Sequence, residues 1–314
     1  MKASIILLTY RQEKTVARAL ESLLRQKCPY SWEIVIADDG SPDGTRNICQ
    51  KYAARYPDLI RLLPYAPNKG IVGNYFDAVE QCSGEYIGDC AGDDEWLDPT
   101  RLRRQIEILD ADPTLSVVFS DVEEKDGEKV TLHSSNSIRN RWFRPRISGK
   151  DLLVADLNHV NTLPYTLSAA LYRRSALMKT YASNPEMVRM PEAGIEDVPL
   201  IAALSDAGDA AYIPIVGYRY YIDGESASNN LSMEKDFRFT ARVTVAGATL
   251  ARFYGIPVQK LKNHTDAKLS YMAALARHLH DRSLLPEIER CRQAWNIPLP
   301  LRARIHTLLL QLLR

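Results

Sequence analysis

The chain has 314 residues, 46% hydrophobic and 25% charged, with a formal net charge of +1, a composition that excludes a disordered polymer and lacks the basic surplus of a nucleic-acid binder. At this length one simple core stops growing, so a large domain with an appended piece is expected. Charge is laid out unevenly: residues 251–314 carry 11 Lys and Arg against 4 Asp and Glu, which suits either an anionic partner such as an inner membrane leaflet or a merely solvated basic surface.

Residues 3–9 form a continuous apolar run, the pattern of a strand buried on both faces of a parallel sheet. Val16, Ala19, Leu20, Leu23 and Leu24 then recur at helical spacing, with Glu13 before them and Arg25 and Lys27 after, as the macrodipole favours. Residues 32–37 read as a second buried strand, stopped by the turn cluster 38–45, and 45–56 as a helix. A short strand at 59–64, a turn at Asn68-Lys69-Gly70, a helix over 72–81 and a strand at 85–88 follow. Such alternation predicts a doubly wound α/β sheet whose ligands sit at the carboxyl ends of its strands.

Asp98 and Pro99 open a helix that runs to residue 111 and stops at Asp112-Pro113. A strand is expected at 116–122 and a charged turn at 123–128. The irregular, Arg-rich stretch 131–150, with Arg139, Arg141, Arg144 and Arg146, is expected to be a surface loop suited to acceptor recognition. Residues 167–172 and 211–221 read as strands, 174–181 and 196–207 as helices. From Met233 onward the pattern is helical, broken at Gly255-Ile256-Pro257 and at 296–300. Five cysteines without a Cys-x-x-Cys spacing suggest reduced thiols in a cytoplasmic protein, and no window approaches the roughly 20 apolar residues that span a bilayer. The final segment 301–314, with six leucines and three arginines, fits an amphipathic helix on a membrane, a dimer contact or ordinary packing.

Asp93 and Asp94 are adjacent carboxylates at a predicted strand end, where a divalent cation holding a diphosphate relieves like-charge repulsion. Asp39 and Thr9-Tyr10 stand at the same sheet edge, although Asp39 also reads as a turn or cap residue. Glu196-Asp197, at a helix start, suits either helix capping or general-base duty toward a hydroxyl. Six histidines show no metal spacing, and no Gly-x-Ser-x-Gly, Gly-x-Gly-x-x-Gly or Walker motif is present.

Taken in order, Ser4 to Arg11, Ala37-Asp38-Asp39-Gly40-Ser41, Asn68-Lys69-Gly70 with Asn74, Ser83 to Ile87, and Gly92-Asp93-Asp94-Glu95-Trp96 resemble the family-2 glycosyltransferases of the GT-A fold. The resemblance covers about residues 3–222, with 158–175 matching the acceptor side. It implies a catalytic domain over 1–230 and a helical C-terminal region over 231–314. It further implies a metal-dependent, inverting transfer from a nucleoside-diphosphate sugar, UDP-sugars favoured, to a saccharide or lipid-linked acceptor in surface polysaccharide synthesis. Residue by residue, Thr9, Tyr10 and Asp39 would hold the base, Asn68, Lys69 and Asn74 would complete the donor half, and Asp93 would hold the ribose. Asp94, with Asp93, would bind Mn2+ or Mg2+, and Asp197 would act as base.

Three positions depart from the family pattern: Arg11 stands where Asn is common, Ala91 where the first acid of an Asp-x-Asp motif usually sits, and Tyr221 where a His often follows Tyr-Arg. The last two keep open a non-catalytic nucleotide-sugar binder or scaffold of the same fold. A sugar nucleotidylyltransferase, which shares the sheet, is disfavoured because Tyr10-Arg11-Gln12-Glu13 replaces its Gly-rich phosphate loop.

Overall fold

The computed structural model describes residues 1–133, 145–158, 166–222 and 232–312. The first half alternates as its periodicity demands: β1 (Ala3–Thr9), α1 (Val16–Leu24), β2 (Trp32–Asp38), α2 (Thr45–Arg55), β3 (Ile60–Leu62), α3 (Gly70–Gln81), β4 (Tyr86–Ala91), β5 (Glu95–Trp96) and α4 (Arg101–Ala111). Then come β6 (Leu115–Asp126), β7 (Lys129–His133), β8 (Arg146–Ile147), α5 (Gly149–Leu157), β9 (Ala170–Arg173), α6 (Arg174–Ser183), α7 (Pro185–Arg189), α8 (Asp197–Ala207) and β10 (Asp209–Tyr221). The last quarter is α9 (Met233–Phe253), α10 (Lys262–His278), α11 (Leu285–Trp295) and α12 (Leu301–Leu312).

One mixed sheet runs in the order β3-β2-β1-β4-β9-β6-β10-β5, with β7 on β6 and β8 on β10. Parallel pairs join β1 to β2 and β4, β2 to β3, and β6 to β10, whereas β9 lies antiparallel between β4 and β6. The strand order reverses beside β1, and in open α/β sheets the crevice at such a switch point takes ligands. Strand β1 explains its own apolar run: Ile6 faces one buried cluster, Ile5 and Leu7 the opposite one, and all three are fully buried. At the far end of the sheet Glu33 accepts hydrogen bonds from Ser4 and Ser83 and pairs with Arg61, which ties β1, β2 and β3 together.

Three local expectations need correction. The stretch 131–150 contains β7, β8 and the start of α5 rather than loop alone. Arg146 is an anchor that pairs with Asp112 and Asp209, while Arg139, Arg141 and Arg144 lie outside the described residues. Residues 167–169 form a turn of 3-10 helix before β9 begins, because the chain must bend to enter the sheet against the direction of its neighbours.

The helical region is not packed on itself alone. Leu153, Val154, Leu157, Val198 and Ala202 of α5 and α8 share a buried cluster with Phe237, Leu250, Met272, Trp295 and Leu310 of the last four helices.

Candidate active site

The carboxyl ends of β1, β2 and β4 and the start of α8 open into one cavity of about 1310 Å³. Thr9, Tyr10, Asp39, Asn68, Asn74, Asp93, Asp94 and Asp197 all line it. Lys69 does not: its ammonium pairs with Asp77 on α3, outside the cavity wall.

At the end of β1, Thr9 is buried and its Oγ1 has no hydrogen-bond partner among the described residues. A buried hydroxyl without a partner is costly unless something else meets it, so an orphan facing a cavity is an invitation to a ligand. Tyr10 is 40% exposed at the mouth. Arg11 takes φ of 56°, in the left-handed region, where Asn is tolerated far better than a long side chain.

At the end of β2, Asp39 accepts the Lys69 N–H at 2.9 Å and the Gly70 N–H at 3.0 Å, bridging the strand to the first turn of α3. Its turn reading therefore has a concrete content, since the carboxylate satisfies two helix-start donors. Gly40 beside it has φ of +70°, and a Cβ there would come within 2.8 Å of the Asn68 backbone nitrogen. Asn74 donates its amide to the Ala37 carbonyl at 2.9 Å.

After β4 the two acids part company. Asp94 is 2% exposed, with one oxygen taking the Tyr218 hydroxyl and the other the Tyr221 N–H at 2.9 Å. Burial and then the Asp93 charge push its carboxyl up to about 8. Asp93 is half-buried and lines the cavity, with the Arg18 guanidinium on its backbone carbonyl. Gly92 sits close against two side chains here: a Cβ would stand 2.4 Å from Gln12 Oε1 and 3.0 Å from Thr9 Oγ1.

Across the cavity, α8 begins with Glu196 and Asp197. Burial raises the Asp197 carboxyl to about 6, opposed by the Thr166 hydroxyl, which donates to it at 3.4 Å. Glu196 is held well above the usual range by burial and by the Asp197 charge. Two further acids were not anticipated. Asp89 of β4, 5% exposed, accepts the Tyr75 hydroxyl at 3.3 Å and is raised by burial and by Asp197. Asp156 of α5 is raised by the same two causes. Each interrupts an apolar stretch, Tyr86-Ile87-Gly88-Asp89 and Leu152-Leu153-Val154-Ala155-Asp156, and that interruption was the available signal.

A model of the family described as "Glycosyl transferase family 2" matches residues 4–180, more than half of the chain and the part that builds this cavity. The chain belongs to glycosyl transferase family 2. Uncharacterized proteins of Mycobacterium tuberculosis and Mycobacterium bovis share 39% identity with this family 2 chain over 128 residues, 40% of this chain and 37% of their own length. The Escherichia coli UDP-Glc:alpha-D-GlcNAc-diphosphoundecaprenol beta-1,3-glucosyltransferase WfgD is 31% identical over 143 residues, 46% of this chain and 51% of its own. Among solved structures, Staphylococcus aureus TarS 1–349 in complex with UDP-GlcNAc has a TM-score of 0.60 at 17% identity, covering 98% of this chain and 90% of TarS. A Pyrobaculum calidifontis mannosyltransferase in complex with GDP-Man and Mn2+ has a TM-score of 0.57 at 17% identity, over 99% and 84%. The family 2 chain thus has the GT-A type of fold, with its sheet, flanking helices and helical extension all inside the structural match.

Among the described residues no three His, Cys, Asp or Glu side chains are grouped to hold a metal by themselves. The acids present fit the other mode, in which Mg2+ or Mn2+ is held by one or two carboxylates and by substrate phosphates. Both Asp94 oxygens accept hydrogen bonds from the protein, and Asp93 lines the same cavity beside it. At position 221 the Tyr hydroxyl meets Glu95 at 2.5 Å and the ring lies 3.7 Å under Arg18, outside the cavity lining.

Proposed function

We propose that this chain transfers a sugar from a nucleoside-diphosphate donor, a UDP-sugar by preference, to a hydroxyl of a saccharide or lipid-linked acceptor, with inversion. The observation that carries the reading is a single cavity bounded on one side by Thr9, Tyr10, Asn68 and Asp93 and on the other by Asp197. Donor and acceptor then meet between two walls of opposite duty.

Thr9 Oγ1 and Asn68 offer polar groups to the nucleoside, and Tyr10 offers an exposed ring at the mouth. Asp39 contributes by fixing the loop that carries Asn68, and Lys69 contributes its backbone N–H to that same brace. Asp93, with Asp94 behind it, would hold Mn2+ or Mg2+. Such a cation, when bound, neutralises charge on the departing diphosphate. Asp197 takes the acceptor proton. A carboxylate raised to about 6 is ionised at neutral pH yet more basic than an ordinary aspartate, as a general base should be.

A polysaccharide pathway at the inner face of a membrane agrees with the WfgD likeness and with α12. At 100° per residue, Leu301, Ile305, Leu308, Leu309 and Leu312 make one outward stripe, 42% to 70% exposed, while Ala303 and Leu310 face the helical core. Arg302 and Arg304 flank the stripe, and no acid occurs on the helix. A stripe of five side chains falls short of the roughly 20 residues a side that a stable dimer uses, whereas an interfacial helix on anionic lipid needs just this pattern. No helix among the described residues is long and apolar enough to cross a membrane.

The test is calorimetric titration of UDP and GDP with and without Mn2+, followed by UDP release from UDP-sugars over a panel of saccharide acceptors. Tighter UDP binding with Mn2+ together with acceptor-dependent release supports the proposal. Binding without release on any acceptor favours the non-catalytic alternative, to which Ala91 and the outward Tyr221 would then point. No nucleotide binding at all refutes both.

A further inference from the structure

The cavity continues past Asp197 beneath the helical extension, where Phe239 and Thr240 of α9 and Lys268 of α10 form its wall, together with Asp156 of α5. Asp156 is 6% exposed, and its Oδ2 is buried without a hydrogen-bond partner among the described residues. Lys268 makes no hydrogen bond or ion pair among the described residues, although it and Asp156 feel one another's charge. Burial lowers the Lys268 ammonium to about 7 and raises Asp156 well above the carboxylate range.

Opposite charges that share a buried space normally close to contact, because each is costly when desolvated alone. Asp156 and Lys268 are carried on different helices, α5 and α10, and both line the cavity with no ion pair between them among the described residues. The same cavity is lined by a half-buried aromatic ring, Phe239, and by the proposed base. A carboxyl group, which accepts and when protonated also donates, and an amine that donates match groups able to do both, and vicinal sugar hydroxyls are such groups. The apolar face of a pyranose would lie on the ring. An anionic ligand is disfavoured, since Asp89, Asp156, Glu196 and Asp197 crowd the same end of the cavity.

We propose that Asp156 and Lys268 form an acceptor subsite that grips neighbouring hydroxyls of a neutral saccharide beside Asp197, so that the helical extension takes part in choosing the acceptor. This rests on the sugar-transfer reading above but is tested separately from it.

The experiment is saturation-transfer NMR on the full chain with UDP and Mg2+, using the methyl glycosides of glucose, galactose and N-acetylglucosamine as probes, with UDP affinity measured in parallel. At least one glycoside should signal on the wild type. Asp156→Asn and Lys268→Met should each cut that signal fivefold or more while leaving the UDP Kd within twofold. Undiminished glycoside signals in both variants, or none on the wild type, would overturn the subsite. Should Lys268→Met fail to fold, the near-isosteric Asp156→Asn decides. If the wild type ignores UDP but the glycoside contrast persists, the subsite stands and the donor assignment falls.

Discussion

Asp197→Asn separates the catalytic and structural consequences of one buried acid. In the native chain the carboxyl is raised from 3.8 to about 6, so between those values the folded state binds more protons than the unfolded one. Stability therefore falls as pH rises through this window, by up to about 3 kcal/mol once pH exceeds 6. An amide has no charge to desolvate. The variant should gain up to about 3 kcal/mol over wild type at pH 8, about half of that at pH 5 and little at pH 4. Its loss of charge also relieves Glu196 and Asp89, both raised in part by Asp197, which acts in the same direction.

Urea denaturation at the three pH values measures this gain. Turnover should move the opposite way: without the base, UDP release onto an acceptor should drop roughly 10²- to 10⁴-fold, while UDP affinity holds. In the wild type, release should lose about tenfold between pH 7 and pH 5, as a group with a pKa near 6 becomes protonated. A gain over wild type no larger at pH 8 than at pH 4 would refute the desolvation argument, and a variant with unimpaired turnover would remove Asp197 from the base role.

Arg11→Asn should stabilise the chain by roughly 0.5 to 1 kcal/mol in urea titration, because it relieves a long side chain held at φ of 56°. Arg101→Met should cost at least about 3 kcal/mol, since the fully buried guanidinium stacks 3.8 Å over Trp96 and donates to the carbonyls of Ser168, Ala170 and Gly217, bonds that methionine cannot replace; a loss under 1 kcal/mol would contradict this. Glu substituted at both Leu308 and Leu312 should abolish cosedimentation with phosphatidylglycerol vesicles and leave UDP binding unchanged; equal partitioning of variant and wild type would end the membrane assignment of α12.

The sheet was legible because burial on both faces writes itself as unbroken apolar runs. Residues 3–9 and 32–37 could hardly be anything else, and the helix between them shows its buried stripe at Val16, Ala19, Leu20 and Leu23. Strand β9 was harder, since a four-residue antiparallel insert carries no periodicity to separate it from the 3-10 turn before it. At the site, sequence brings out residues at strand ends, but not what their side chains are already doing. The Lys69 ammonium is paired with Asp77, and one Asp94 oxygen takes the Tyr218 hydroxyl, neither of which spacing along the chain reveals. Lys268 had no signal at all, because an isolated lysine on a helix looks solvated until the fold turns it inward.

Strand alternation ties the two unusual positions of the donor half to one consequence. Tyr218 and Tyr220 of β10 line the cavity, so position 221, one residue out of phase, turns its side chain to the opposite face. There Tyr221 serves the acidic motif from behind: its N–H holds Asp94, its hydroxyl holds Glu95, and its ring carries Arg18, which in turn clasps the Asp93 carbonyl. Under the sugar-transfer proposal, with Ala91 unable to ligate, Asp93 and Asp94 would hold the cation only together with the donor phosphates. Metal affinity should then be weak without nucleotide and strong with it. Titration of Mn2+ should give a Kd at least tenfold lower in the presence of saturating UDP, and Asp93→Asn should erase most of that difference. Equal Mn2+ affinity with and without UDP would mean that the protein alone supplies the ligands, and the argument from Ala91 and Tyr221 would fail.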